Sequence, residues 1–172
     1  MTDTLFFFSK SADKLAGKGS NETVNSPKDY DELNKIKDWR KILSNLYFSP
    51  FTYDGKTYNS VEHAFQAKKI ELVDPEKAYW FTVDSNHKIG LGDGLVARKN
   101  RKLVILSHSD LLKWDSIKRD ILKDILYQKF TQVDLAKEVL IKTKDAILLH
   151  GTRGIPIERQ YGLEEIREEI KR

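Results

Sequence analysis

Glu62, Gln66 and Lys69 stand at i, i+4 and i+7 of a stretch with helical apolar spacing. At roughly 100° per residue the three fall within about 60° of one another on a helix surface. A carboxyl and an amine placed this way can move a proton and attack carbon. Val61, Ala64, Phe65 and Leu72 take the adjacent arc, so the polar trio borders the buried face. The same positions also suit plain structure. Glu62 is the third residue after Asn59 and could close a capping arrangement, and Lys69 could be a solvated lysine. Periodicity leaves both readings open.

Other groups carry less chemistry. Gly17-Lys18-Gly19-Ser20 lacks the spacing of a Walker phosphate loop, and no buried strand precedes Gly90-Leu91-Gly92-Asp93-Gly94 as a dinucleotide fingerprint requires. Either loop could turn backbone N–H groups to a phosphate, with Lys18 adding charge, or be an ordinary turn. Trp114 precedes Asp115 at an expected helix start, where an aromatic serves as a staple or stacks on a base. The histidines stand at 63, 87, 108 and 150 without HExxH spacing, and there is no cysteine. That excludes a thiolate nucleophile and disulfides, and it argues against a zinc enzyme. No metal and no cofactor is expected.

These residues need elements to hold them. Leu5 to Phe8 reads as a short buried strand, followed by a polar loop over residues 9–26. Ser26-Pro27 starts a helix, and Leu33, Ile36, Trp39, Ile42 and Leu43 carry it to Ser44. Asp54-Gly55 between β-formers predicts a hairpin over residues 51–58. A helix from Asn59 to about Leu72 follows, then a short one from Asp74-Pro75. Residues 84–102 read as loop. Helices are predicted over residues 115–130, 133–141 and around Leu163, Ile166 and Ile170. Residues 146–150 read as a strand and 151–161 as a loop. The fold class is mainly α (α+β), a single multihelical domain over residues 1–172 with a small β element.

Composition agrees. The 172 residues are 40% hydrophobic and 33% charged, and 30 Lys+Arg against 26 Asp+Glu leave +4. That balance fits a globular chain rather than a disordered or fibrous one. The modest charge, with acidic residues interspersed, allows an anionic ligand without implying a broad duplex-binding surface. The longest apolar run is too short for a membrane span, and no signal-like block opens the sequence. A cytoplasmic protein with no membrane partner is expected.

Leu43-Ser44-Asn45-Leu46-Tyr47-Phe48-Ser49-Pro50-Phe51, Asp54-Gly55-Lys56 and Ser60-Val61-Glu62-His63-Ala64-Phe65-Gln66-Ala67-Lys68-Lys69 together resemble the signature of the NADAR (YbiA-like) family. Trp114-Asp115-Ser116-Ile117-Lys118, Gln128-Lys129-Phe130 and Thr143-Lys144-Asp145-Ala146-Ile147-Leu148 are similar to later elements in the family's order. Phe7-Phe8-Ser9-Lys10-Ser11 with Gly17-Lys18-Gly19 and Glu22 resembles a subgroup with a GKG-type opening, which Leu149-His150, Arg153-Gly154 and residues 163–167 also suit. The glycine-rich W-G-x-G block with which many members end is absent.

The resemblance implies a mainly helical fold and an N-glycosidase that cleaves a ribose–nitrogen bond. Lys69 would form a Schiff base with the opened sugar and Glu62 would shuttle the proton. Trp114, Asn45, Gln66, His63, Lys18, Gly19, Glu22, Arg40 and Arg153 would surround the substrate, with Lys18, Arg40 and Arg153 directed at a pyrophosphate. The leading substrate implied is ADP-ribosylated guanine in nucleic acid or nucleotide. One alternative is a ribosylamino-pyrimidine intermediate of riboflavin synthesis. Another is a non-catalytic module binding ADP-ribose or an NAD derivative, which would not need Glu62 and Lys69 together.

Overall fold

Leu5 and Phe7 are buried in β1 (Thr4–Phe7), a short apolar strand that cannot stand alone. Its partner lies far along the chain. β1 runs parallel to β4 (Ile147–Thr152), with Thr4 opposite Ile147 and Phe7 opposite His150. β4 turns through Arg153-Gly154 into antiparallel β5 (Ile155–Arg159), giving the order β1-β4-β5. The computed structural model describes all 172 residues and divides into two compact units. The expected α+β class holds, with nine α-helices beside the three-stranded sheet and one hairpin.

The first unit comprises Met1–Ser44 and Asp134–Arg172. It holds this sheet, α1 (Asp31–Asn34), α2 (Trp39–Ile42), α8 (Asp134–Lys142) and α9 (Tyr161–Ile170). The single helix expected from Pro27 to Ser44 is broken. A 3-10 turn over Pro27–Tyr30 precedes α1, and Asp38 at φ +58° separates α1 from α2. A left-handed aspartate stops helical hydrogen bonding, and the apolar spacing survives the break because both short helices bury their faces. Residues 151–161, expected as a loop, contain β5. Every β5 residue is exposed, so no buried alternation marks it as a strand.

The second unit is the continuous segment Asn45–Val133. β2 (Phe51–Tyr53) and β3 (Lys56–Tyr58) form the hairpin read from Asp54-Gly55, and both turn residues have positive φ, as a type I′ turn requires. α3 (Val61–Ile70) packs against α4 (Pro75–Tyr79), α6 (Gly94–Lys99) and α7 (His108–Gln132). Residues 84–102 are therefore not a loop. They contain α5 (Lys88–Leu91) and α6, capped by the His87 ring and the Asp93 carboxylate. A Cβ on Gly90 would overlap the Thr82 carbonyl, and one on Gly94 the Leu46 backbone. These glycines serve close packing. No helix is long and apolar enough to cross a membrane.

Candidate active site

α3 begins because Ser60, in extended conformation, caps it by accepting the His63 backbone N–H. This corrects the expected start. Asn59 instead donates its side-chain amide to the Gly90 and Gly92 carbonyls. Glu62 has no part in closing the cap. Its backbone N–H donates to the Asn45 carbonyl, and its carboxyl turns to a residue one turn along the helix.

Gln66 Nε2 donates to Glu62 Oε1 at 2.8 Å. Gln66 is 6% exposed, and its Oε1 is buried with no hydrogen-bond partner. Burial raises the Glu62 pKa above the usual carboxylate value, against the Gln66 bond and the charges of Arg98, Lys69 and Arg101. Lys69 Nζ donates to the Arg101 carbonyl at 2.9 Å. Its pKa moves down, first through burial and also through the Arg101 charge, while Glu62 opposes. The acid is thus biased toward its protonated form and the amine toward its neutral one, the forms that acid catalysis and nucleophilic attack require.

The other lysines differ. Lys68 pairs with Asp54 at 2.6 Å and lies near Glu71. Burial works against its charge, but these partners win and its pKa rises. The like charge on Lys69 comes from Arg101. Lys129 is fully buried, and burial brings its pKa down to about 7. Its Nζ lies 5.8 Å from the Tyr47 ring centre, out of reach of solvent.

The remaining candidates in this unit are built in. His63 is fully buried, its Nε2 facing the Ile89 carbonyl at 2.8 Å and its Nδ1 facing Ser60 Oγ at 2.7 Å, and burial lowers its pKa. The ring ties α3 to α5. Trp114 does not begin a helix. α7 starts at His108 under a Ser107–Asp110 capping box, so Trp114 lies in its second turn. It is 5% exposed and packs on Phe65 at 5.0 Å between ring centres. That makes it the wall behind the α3 face rather than an open stacking platform. A groove of roughly 580 Å³ beside the hairpin is lined by Tyr53, Asp54, Lys68 and Gln128. It takes in none of Glu62, Gln66 and Lys69, so the chemistry of the side chains, not cavity size, marks the site.

In the first unit the glycine loop is already filled from within. Gly17 and Gly19 donate their N–H groups to Glu22 Oε1, and Phe6 donates to Oε2. Arg40 pairs with Glu22 at 2.7 Å, both side chains almost wholly buried. Its remaining donors reach the carbonyls of Ala12, Lys14 and Leu15, so all five N–H groups are spent inside the protein. This corrects the expectation that the loop amides and Arg40 are available to phosphate. In the other glycine cluster Gly90 and Gly94 are likewise packed, as described above. Lys18 and Arg153 are exposed, Arg153 at the β4–β5 turn. Arg98 and Arg101 beside Glu62 escaped the sequence reading. Their signal was the basic run Arg98-Lys99-Asn100-Arg101-Lys102, with two arginines one helical turn apart.

Fold and site define the class, an α+β protein that sets a carboxyl, a carboxamide and an amine along one helix face. The chain belongs to the NADAR domain family, whose pattern matches residues 32–154. Among solved structures it is similar to the NMR structure of the Escherichia coli protein YbiA. Identity is 23% over 77% of this chain and 79% of that one, with a TM-score of 0.58. This likeness is one of fold. No curated protein matches the chain. No group of histidine, cysteine, aspartate and glutamate side chains is arranged to hold a metal ion.

Proposed function

We propose that the protein is an N-glycosidase that removes ADP-ribose from guanine bases of nucleic acid or nucleotides through a lysine Schiff base. The observation that carries this reading is the placement of Glu62 and Lys69 on α3 of a NADAR-family chain, the acid accepting from Gln66 and the amine donating to the Arg101 carbonyl, with burial favouring the uncharged form of each. An exocyclic N-glycoside can open its sugar ring. The nitrogen lone pair forms a C1=N bond as the C1–O4 bond breaks, and O4 takes up a proton. Neutral Lys69 then adds to C1, and the base nitrogen, protonated by Glu62, departs as the free amine. Water adds to the remaining lysine imine with its proton passing to Glu62. Collapse restores the Lys69 amine and releases the sugar aldehyde, which recloses. One water is consumed and nothing is oxidised. Lys129 is a poor rival because substrate carbon cannot reach a wholly enclosed amine, and Lys68 is held as an ammonium by Asp54.

The test is incubation with ADP-ribosylated guanosine, ADP-ribosylated thymidine and a ribosylamino-pyrimidine phosphate, with released base followed by mass spectrometry. Release from the guanosine substrate is expected. Borohydride during turnover should leave a reduced sugar adduct on Lys69, and Lys69→Arg should abolish adduct and turnover, since a guanidinium stays charged. An adduct on Lys68 or Lys129, or near-normal turnover by Lys69→Ala, would overturn the assignment.

A further inference from the structure

Arg98 lies in the last turn of α6, which packs on α3, and Arg101 follows three residues later with its N–H and Nη1 both donating to the Arg98 carbonyl. The turn is joined to the proposed nucleophile, because the Arg101 carbonyl accepts from Lys69 Nζ at 2.9 Å. Neither guanidinium enters an ion pair, although Glu62 lies close enough to feel both charges. Two forked cations thus act on a carboxyl that burial biases toward neutrality. They lack a fixed anion, whereas Arg40 has one in Glu22. A second feature marks the place as one made for a ligand. The Gln66 carboxamide oxygen, enclosed beside Glu62, has no donor, and a buried acceptor without a partner is costly unless a ligand supplies one.

We infer that Arg98 and Arg101 form a phosphate-binding rim for the site, taking the anionic phosphate group of a ribosyl substrate while its C1 faces Lys69. Guanidinium forks match phosphate oxygens bidentately, and an arginine without an internal anion keeps donors for one. The inference rests on the N-glycosidase reading for its substrate but not for its test. The rim moves the phosphate contact from Arg40, whose donors are spent, to the turn that holds the amine.

Two measurements on the full chain decide it. The first is calorimetric binding of ADP-ribose to wild type, Arg98→Gln and Arg101→Gln. Each substitution is expected to weaken binding at least about tenfold, the scale of one charge-assisted hydrogen bond. Arg101 is exposed, so its variant keeps the fold even where Arg98→Gln does not. The second compares ADP-ribosylated guanosine with ribosyl-guanosine lacking phosphate. The variants should lose efficiency on the first substrate at least about tenfold more than on the second. That ratio cancels any effect of the lost charge on Glu62 or Lys69. Equal losses on both substrates, or unchanged ADP-ribose affinity, would overturn the rim even if turnover occurs. Absence of ADP-ribose binding to wild type would overturn it as well. Arginine-dependent ADP-ribose binding without any turnover would leave the rim standing and remove the N-glycosidase reading instead.

Discussion

At the scale of single residues, the two proposed reacting groups both work against stability. The unfolded Glu62 ionises near the ordinary 4.5, and in the fold burial raises that value. Between the two values the folded state holds the extra proton, so stability falls as pH rises through that window. Lys69 mirrors this. Its folded pKa lies below the ordinary 10.5, so the penalty is full at neutral pH and disappears as pH climbs past 10.5. Glu62→Gln is therefore expected to abolish turnover while melting no lower than wild type at pH 7. Any advantage should vanish below about pH 4.5. Lys69→Met should melt higher than wild type at pH 7, the gap closing toward pH 10.5. Scanning calorimetry at pH 4, 7 and 10 checks both. A large loss of melting temperature for Glu62→Gln at pH 7, with activity per folded molecule intact, would make Glu62 structural. The trio was legible because a helical period places i, i+4 and i+7 together whatever surrounds them. The Ser60 cap, the orphaned Gln66 oxygen and the Arg101 contact were not, since each depends on what packs against α3.

At the scale of elements, local signals worked where the chain's own chemistry decides the conformation. Asp54-Gly55 can take positive φ at both positions, and α8 and α9 carry clear apolar stripes with buried Val139, Leu140, Leu163 and Ile166. They failed where a neighbour decides. The glycines of residues 90–94 resemble a flexible loop until Thr82 and Leu46 press against them. α7 begins seven residues before the expected Asp115, at His108, because Ser107 and Asp110 form a capping box that the sequence does display. The earlier start changes the meaning of Trp114. Trp114→Ala is now expected to cost about 3–5 kcal/mol of stability, the range for a buried aromatic, through lost contact with Phe65. Denaturant unfolding read alongside ADP-ribose affinity separates this from stacking on a base. Reduced affinity with unchanged stability would return Trp114 to the substrate.

At the scale of the whole molecule, the candidate residues divide between the two units. Asn45, Glu62, His63, Gln66, Lys69 and Trp114 belong to the continuous one, and Lys18, Gly19, Glu22, Arg40 and Arg153 to the one made from both ends of the chain. No local pattern announces that Thr4 pairs with Ile147, so the joining of both chain ends into the first unit was beyond sequence reading. Its weak point is the Glu22 carboxylate, which gathers the N–H groups of Phe6, Gly17 and Gly19 and the buried Arg40 fork. Glu22→Ala removes one partner of a buried pair and strands the other, which costs about 3–5 kcal/mol. Hydrogen exchange on the intact chain should locate the loss. Amides of Phe6, Gly17 and Gly19 are expected to exchange faster, because they lose their acceptor, while those in the middle of α3 keep their protection. Equal acceleration in α3 would mean that the two units open together and that the glycine loop guards the site's stability. Unchanged exchange at Gly17 and Gly19 would instead show that the loop keeps its shape without Glu22. That outcome would reopen Lys18 and its neighbours as a place for an external anion.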